Sequence, residues 1–177
     1  YFVKTADVTP FYSLKRRDLV GLEALETIEW RPLSAAPTDP AILWKGYHVY
    51  SHPSSAPGGD RVAFVEDLFG WAKTITIADR SGKTKRVRVD PEHRFVDPQL
   101  APGGRYVAVY DRPERRAPAD LMVLDTETGK EVFGLHTDNQ SLGSFCWLDD
   151  KRIAFIYIPE RSGGTSQVVG VVDVAKQ

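Results

Sequence analysis

The sequence predicts an all-β fold: three repeated blades of antiparallel strands, a partial or open array, preceded by an irregular N-terminal segment. Three observations predict it. Twelve Pro and 14 Gly divide the 177-residue chain into apolar stretches of roughly four to seven residues, rich in Val, Ile, Phe and Tyr, which is strand length and strand composition. The stretch "APGGDRVAF" at 56–64 returns as "APGGRYVAV" at 101–109, the same turn followed by the same short strand. From residue 47 onward no apolar period of about 3.6 runs through the chain, so a helical repeat is excluded.

The first 46 residues differ from the rest. "YFVKTADV" (1–8) reads as an extended strand. "SLKRRDLVGLEALETIEW" (13–30) places Leu14, Leu19, Leu22, Leu25 and Ile28 among charges, which permits a short amphipathic helix that Gly21 weakens. "RPLSAAPTDPA" (31–41) is a Pro-rich loop. Residues 47–177 then divide into three units, about 47–92, 93–140 and 141–177. In each, a nearly continuous apolar strand comes first: "RVAFVED" (61–67), "YVAVYD" (106–111) and "RIAFIYI" (152–158). Continuous apolar character is expected of strands covered on both faces. A second strand follows, "TITIAD" (74–79), "DLMVLD" (120–125) and "VGVVDV" (169–174), carrying Asp79, Asp125 or Asp173 at or near its end. In the first two units a turn and a further strand come next, "RSGKTKRVRV" and "TETGKEVFGL".

Val62 aligns with Val107 and Ile153, and Asp79 with Asp125 and Asp173, so the unit recurs at a spacing of 45 (62 to 107) to 48 (125 to 173) residues. A period of that size with three or four strands per unit is the signature of propeller blades. The tight reversal into each first long strand needs positive φ, which Gly-Gly tolerates and which Asp149-Asp150 supplies in the third unit. An uncapped last blade leaves an edge strand open to pairing, so a partner, a cap or the N-terminal strand is expected there.

"SSAPGGDRVAF", "PQLAPGGRYVAV" and "FCWLDDKRIAF" resemble the aromatic-Ser-Pro-Asp-Gly, two residues, Ile-Ala-Phe signature of TolB-type, WD40-like β-propeller repeats. "IADRSGKTKRV" and "VLDTETGKEV" resemble the ends of such blades. The last unit is also similar to a WD40 repeat, with His136 at the histidine place and Asp173 at the aspartate place, but Val172 stands where tryptophan belongs. The TolB-type resemblance covers about residues 47–177. It is specific for a WD40-like propeller fold and nearly silent on function, and it implies a setting outside the cytoplasm, in the periplasm or cell envelope, with which an opening at a processed Tyr1 agrees.

Composition bounds the function. Twenty-three Lys and Arg against 24 Asp and Glu give a net charge of −1, so no global field draws the chain to nucleic acid or to an anionic membrane. No apolar run approaches the roughly 20 residues of a membrane-spanning helix. Cys146, the single cysteine, has no internal disulfide partner and reads as a small apolar side chain packed in a strand. "SGKT" (81–84) lacks the glycine and the helix of a phosphate-binding loop and reads as a hairpin turn. His48 and His52 share a strand face without a third ligand, so no metal and no cofactor is expected. No Gly-x-Ser-x-Gly elbow occurs. "DPEHRFVDP" (90–98) gathers Asp90, Glu92, His93 and Asp97, yet it reads as a blade-to-blade loop closed by prolines. "NQS" (139–141) is a glycosylation acceptor pattern only in a glycosylating pathway.

What remains points to partner proteins. Leu68, Phe69 and Trp71 fall on one hairpin tip, and Arg112, Arg115 and Arg116 on another. Exposed aromatic and Arg side chains dominate interface hot spots, so these six are the candidate contact residues. A cationic strand face at Lys83, Lys85, Arg86 and Arg88 fits either a charge-guarded edge or a docking patch for an acidic partner. The expected function is a non-catalytic interaction module, an accessory or scaffold subunit of a larger, cell-envelope-associated assembly. Two alternatives stand beside it: the gating propeller of a prolyl-oligopeptidase-like serine peptidase, whose nucleophile would lie downstream of Gln177, and a propeller binding a small ligand or sugar.

Overall fold

The structure, a computed structural model, describes residues 10–17, 25–32, 41–46, 53–56, 60–67, 72–112, 119–136, 141–158 and 167–176. Fourteen strands run through these residues in four antiparallel sheets, each a meander in chain order. Three of the sheets are the predicted blades. Blade one comprises β4 (Ser54–Ser55), β5 (Arg61–Asp67), β6 (Ala72–Asp79) and β7 (Thr84–Val89). Blade two comprises β8 (Phe95–Leu100), β9 (Tyr106–Asp111), β10 (Asp120–Asp125) and β11 (Glu131–Leu135). Blade three comprises β12 (Ser141–Trp147), β13 (Arg152–Ile158) and β14 (Val168–Asp173), and among the described residues β14 pairs with β13 alone.

The fourth sheet is made by the N-terminal region, with order β1 (Pro10–Arg17), β2 (Leu25–Pro32) and β3 (Ala41–Gly46). Where the spacing permits a helix within 13–30, the described residues 13–17 and 25–30 are strand. Register sets Tyr12 opposite Trp30 and Leu14 opposite Ile28, and Ile28 opposite Trp44. This period-two alternation of apolar residues outweighs the weaker helical spacing. The stretches 1–8 and 33–40 lie outside the described residues.

The sheets stack in chain order, with β3 against β6 and β8 against β4, β5 and β6. Two apolar cores fill the boundaries between blades. In the first, Ala63, Val65, Ile75 and Ile77 of blade one meet Phe95, Val107, Val109, Met122 and Leu124 of blade two. In the second, Ala108, Leu121, Val123 and Phe133 of blade two meet Phe145 and Ile153 of blade three. Strand β9 therefore sends alternate residues into both cores, which is why its sequence is apolar without interruption. Specific contacts pin the second boundary: Trp147 Nε1 donates to Gln99 O at 2.9 Å, Gln99 Nε2 donates to Phe145 O at 3.2 Å, and Tyr110 meets Phe145 edge to face at 4.7 Å.

The repeated turns have two physical origins. Ala56 N and Ala101 N donate to Arg61 O and Tyr106 O, closing equivalent reversals, and Gly104 takes a φ of 71°. The third reversal does not use positive φ, against expectation: among the described residues only Asp97 is a non-glycine there, at 51°. Asp149 Oδ1 instead accepts from Lys151 N and Arg152 N at 2.9 and 2.8 Å, holding the turn from its side chain. The aspartates that end the second strands do the same. Asp79 Oδ1 accepts from Ser81 N and Lys83 N, Asp125 Oδ1 from Glu127 N and Thr128 N, and Asp173 Oδ1 from Ala175 N.

Candidate interaction site

The alignment of the blades defines three columns of equivalent positions on the face that each blade turns toward the next. Ala63, Ala108 and Ala154 form one, each followed across the ladder by its partner on the next strand: Ile77, Val123 and Val171. Ile75, Leu121 and Val169 form the third, through pairing with Val65, Tyr110 and Ile156. In blades one and two these positions are closed, with Ala63, Ala108, Ile75, Leu121 and Val123 at 0 % exposure. In blade three they are open: Val169 is 68 % and Val171 57 % exposed, and Ala154 and Ile156 are half-buried.

Cys146 belongs to this open face. It sits opposite Ala154 in the β12–β13 register and is exposed, not packed as its apolar setting predicts. The strand is as expected; the cover on that side is what the described residues do not contain. Together Cys146, Ala154, Ile156, Val169 and Val171 make a contiguous apolar patch on this sheet face, bounded at the turn end by the paired positions Arg152 and Asp173. Isolated exposed apolar residues are ordinary, whereas a contiguous patch marks a contact surface.

The loop tips chosen from the sequence fare differently. Leu68, Phe69, Trp71, Arg115 and Arg116 lie outside the described residues, as do His48, His52 and residues 139–140. Arg112 is exposed, and its backbone N–H donates to Arg94 O at 2.9 Å, which sets it beside the loop joining blades one and two. The cationic strand face of β7 is largely committed within the fold. Lys85 Nζ lies 3.1 Å from Glu127 Oε2, Arg86 Nη2 3.4 Å from Glu66 Oε2 and Arg88 Nη2 3.1 Å from Asp90 Oδ2.

Of the stretch 90–98 expected as a loop, only 90–94 joins β7 to β8; Phe95 and Val96 already pair with Asp111 and Tyr110, and a bulge at Asp97 lets the strand carry Pro98. A partner invisible in the sequence organises this loop. His93 Nδ1 lies 2.5 Å from Oδ2 of Asp111, a buried carboxylate at the end of β9, and His93 Nε2 lies 3.8 Å from Asp90. Burial pushes the Asp111 carboxyl above its ordinary range, against the pull of His93. At Asp90 burial also acts upward, but hydrogen bonds from Glu92 N–H and Arg88, with His93 nearby, hold the carboxyl below that range. Both histidine nitrogens face carboxylates, and these contacts clamp the loop onto the end of β9. His136 pairs with Asp120 within blade two, 3.0 Å from Oδ2, and not with Asp173. Among the described residues no cluster of three His, Cys, Asp or Glu could hold a metal ion, and no helix is long and apolar enough to cross a membrane.

No family model matches the chain, and no curated protein matches it either. Solved structures do. The chain is similar to TolB from Acinetobacter baumannii at 17% identity and TM-score 0.58, covering 87% of this chain and 39% of that one. It is similar to an acylaminoacyl peptidase at 15% identity and TM-score 0.62, covering 96% of this chain and 30% of that one. The β-propeller domain of the Trilobed protease from Pyrococcus furiosus, described as having an open velcro topology, aligns at 14% identity and TM-score 0.54, with 98% of this chain and 67% of that one covered. The chain thus spans less than two thirds of the TolB chains and about a third or less of the peptidase chains it resembles. The likeness extends to the blades and their order and establishes the fold: these are TolB-like β-propeller blades in a partial, open array.

Proposed function

We propose that this chain is a non-catalytic protein-interaction module, an accessory or scaffold part of a larger assembly, and that the open face of blade three is its principal contact. The observation that carries this reading is the alanine and valine columns: positions closed by the next blade twice are apolar and uncovered the third time. Val169 and Val171, 68 % and 57 % exposed, each forgo more than half of the roughly 1.5–3 kcal/mol that full burial of such a side chain gives, a gain that a covering sheet would recover. Open strand β14 adds backbone donors and acceptors that an extended partner segment can pair by strand addition. The loops carrying Leu68, Phe69 and Trp71 and Arg112, Arg115 and Arg116 are proposed as a second, peripheral contact. The TolB-type resemblance favours a setting at the cell envelope.

The test is native and denaturing mass spectrometry on protein purified from its source cells. The expected result is a native mass above the denatured mass, with the difference abolished in Val169→Lys/Val171→Lys while the circular dichroism spectrum is unchanged. Equal native and denatured masses in the unsubstituted protein would sink the proposal. The likeness to peptidase chains favours one other reading, the propeller part of a serine peptidase. A denatured mass well above 19.8 kDa, together with peptide hydrolysis by the same species, would establish that alternative.

A further inference from the structure

At the turn end of the stack, where the first long strand of each blade begins and the second ends, two cavities meet at one side chain. One, about 270 Å³, lies between blades one and two and is lined by Arg61, Ile77, Asp79, Lys83, Lys85 and Glu127, with Thr84 and Thr126. The other, about 220 Å³, lies on the far side of Arg61, against Ala56, Asp60 and the Pro102–Gly104 turn of blade two. The Arg61 stem runs across that turn, so close that a β-carbon on Gly104 would lie 3.5 Å from Arg61 Cδ and Nη1. Together the two cavities make an elongated groove along the blade boundary with a guanidinium at its waist.

Charge accounting decides what the groove wants. Each acid lining it already has a partner. Asp79 accepts from Ser81 and Lys83 N–H groups of its own turn, Glu127 pairs with Lys85, and Asp60 pairs with Arg80 at 3.1 Å. The side chains of Arg61 and Lys83 make no hydrogen bond or ion pair among the described residues. Arg61 is thus left uncommitted, while Lys83 lends its charge to Asp79, over a floor that includes the nearly buried Ile77. A guanidinium of this kind binds a carboxylate through two parallel hydrogen bonds. The elongated, partly apolar shape suits an extended chain better than a compact inorganic anion.

From this geometry we infer that the groove between blades one and two is a docking site for an acidic peptide segment of a partner, with Arg61 seating a carboxylate and Lys83 assisting. The inference rests on the interaction reading above and supplies a second contact, distinct in place and chemistry from the apolar face of blade three. Its test is a titration of the ¹⁵N-labelled chain with a short acetylated, amidated peptide carrying one central Glu among Gly, Ser and Ala. A twin peptide with Gln and inorganic phosphate serve as controls. The Glu peptide is expected to shift amides of residues 79–85 and 101–105 saturably. The Gln twin and Arg61→Gln should each weaken binding about tenfold or more, the loss of a charge-assisted hydrogen bond. Arg61 is exposed, so its variant should keep the parent melting temperature; if it does not, Lys83→Glu reads the same site. Equal binding of the Glu and Gln peptides, or indifference to both substitutions, overturns the inference. Phosphate that saturates these amides and displaces the peptide overturns it in favour of a compact-anion site. None of these outcomes moves the native mass, so failure here and failure of the blade-three contact are separable.

Discussion

Blade two and blade three are written in nearly the same strands, yet one is closed and the other open. In β9 every residue from Tyr106 to Val109 is buried; in β13 only Ile153 is, although "RIAFIYI" is at least as apolar as "YVAVYD". The difference lies in the neighbours. Blade two is flanked by a sheet on each side, and its alternating residues fill two cores. Blade three has blade two on one side, where Ile153 and Phe155 pack, and no described sheet on the other, where Ile156, Val169 and Val171 stand. Apolar sequence therefore reports what a strand is built to meet, and burial reports what it has met. The gap between the two locates the contact surface.

The comparison breaks most visibly by truncating one equivalent pair. Leu121 and Val169 occupy the same place in their blades. Leu121→Ala should lower the free energy of unfolding by about 2–5 kcal/mol, as for a fully buried leucine. Val169→Ala should change it by less than about 0.5 kcal/mol in the isolated chain. Denaturant unfolding of the two variants side by side checks this. Similar losses at both sites would mean that the blade-three face is covered after all. Cys146 sharpens the same point without a substitution. Its thiol should react with a disulfide reagent at the same rate in the folded and the denatured chain, and should be protected once the apolar face is occupied.

Much of this was legible in advance because it is local. Alternation, turn residues and the repeat spacing all act over a few positions, so the two long strands of each blade and the outer strands of the first two could be read from the chain, whereas β8, opening in a stretch read as loop, could not. What escaped is non-local. The stretch 13–30 satisfied a helical and a strand pattern at once, and pairing with β3 decides between them. Cys146 lies in a properly read strand, but its exposure depends on a sheet that no local pattern reveals. His93 was visible in "DPEHRFVDP"; its partner Asp111, 18 positions away, sits at the end of an apolar strand where a buried carboxylate is unexpected. The same limit hid the groove around Arg61, whose lining comes from turns of two blades.

The turn end offers a smaller contrast, since two blades make one reversal by different means. Gly104 uses backbone freedom, and Asp149 uses a side chain that also holds Arg152 Nε at 2.6 Å. Gly104→Ala should cost about 1–2 kcal/mol, the penalty of positive φ for an L-residue, since the added carbon meets only ordinary contacts. Asp149→Ala should lower the melting temperature by less than Gly104→Ala, since it removes exposed hydrogen bonds to Lys151 N and Arg152 N. Thermal melts of both variants test it.

The smallest expected effect separates the two ends of the blades by pH. At the turn end, hydrogen bonds from Ser81, from Thr128 N–H and from Lys151 N–H hold Asp79, Asp125 and Asp149 below the ordinary value of 3.8. Carboxylates with depressed folded pKa values contribute stability above 3.8 and lose it as pH falls through the folded values. At the opposite end burial raises Asp111, with His93 and Arg88 opposing and Asp120 reinforcing the shift. Its sign is reversed: ionising it costs nothing below 3.8, where it is protonated folded or unfolded, and the cost grows as pH rises toward its folded value. Asp111→Asn should remove that cost. The melting temperature of the variant relative to the parent should therefore climb as the pH rises from the ordinary carboxyl value of 3.8 toward the raised folded value of Asp111, and level off above it. Asp125→Asn should show the opposite slope, its deficit shrinking as the pH falls. A flat difference for Asp111→Asn would mean that the His93 contact compensates the buried charge fully, and that the two ends of the blade do not differ in their response to protons.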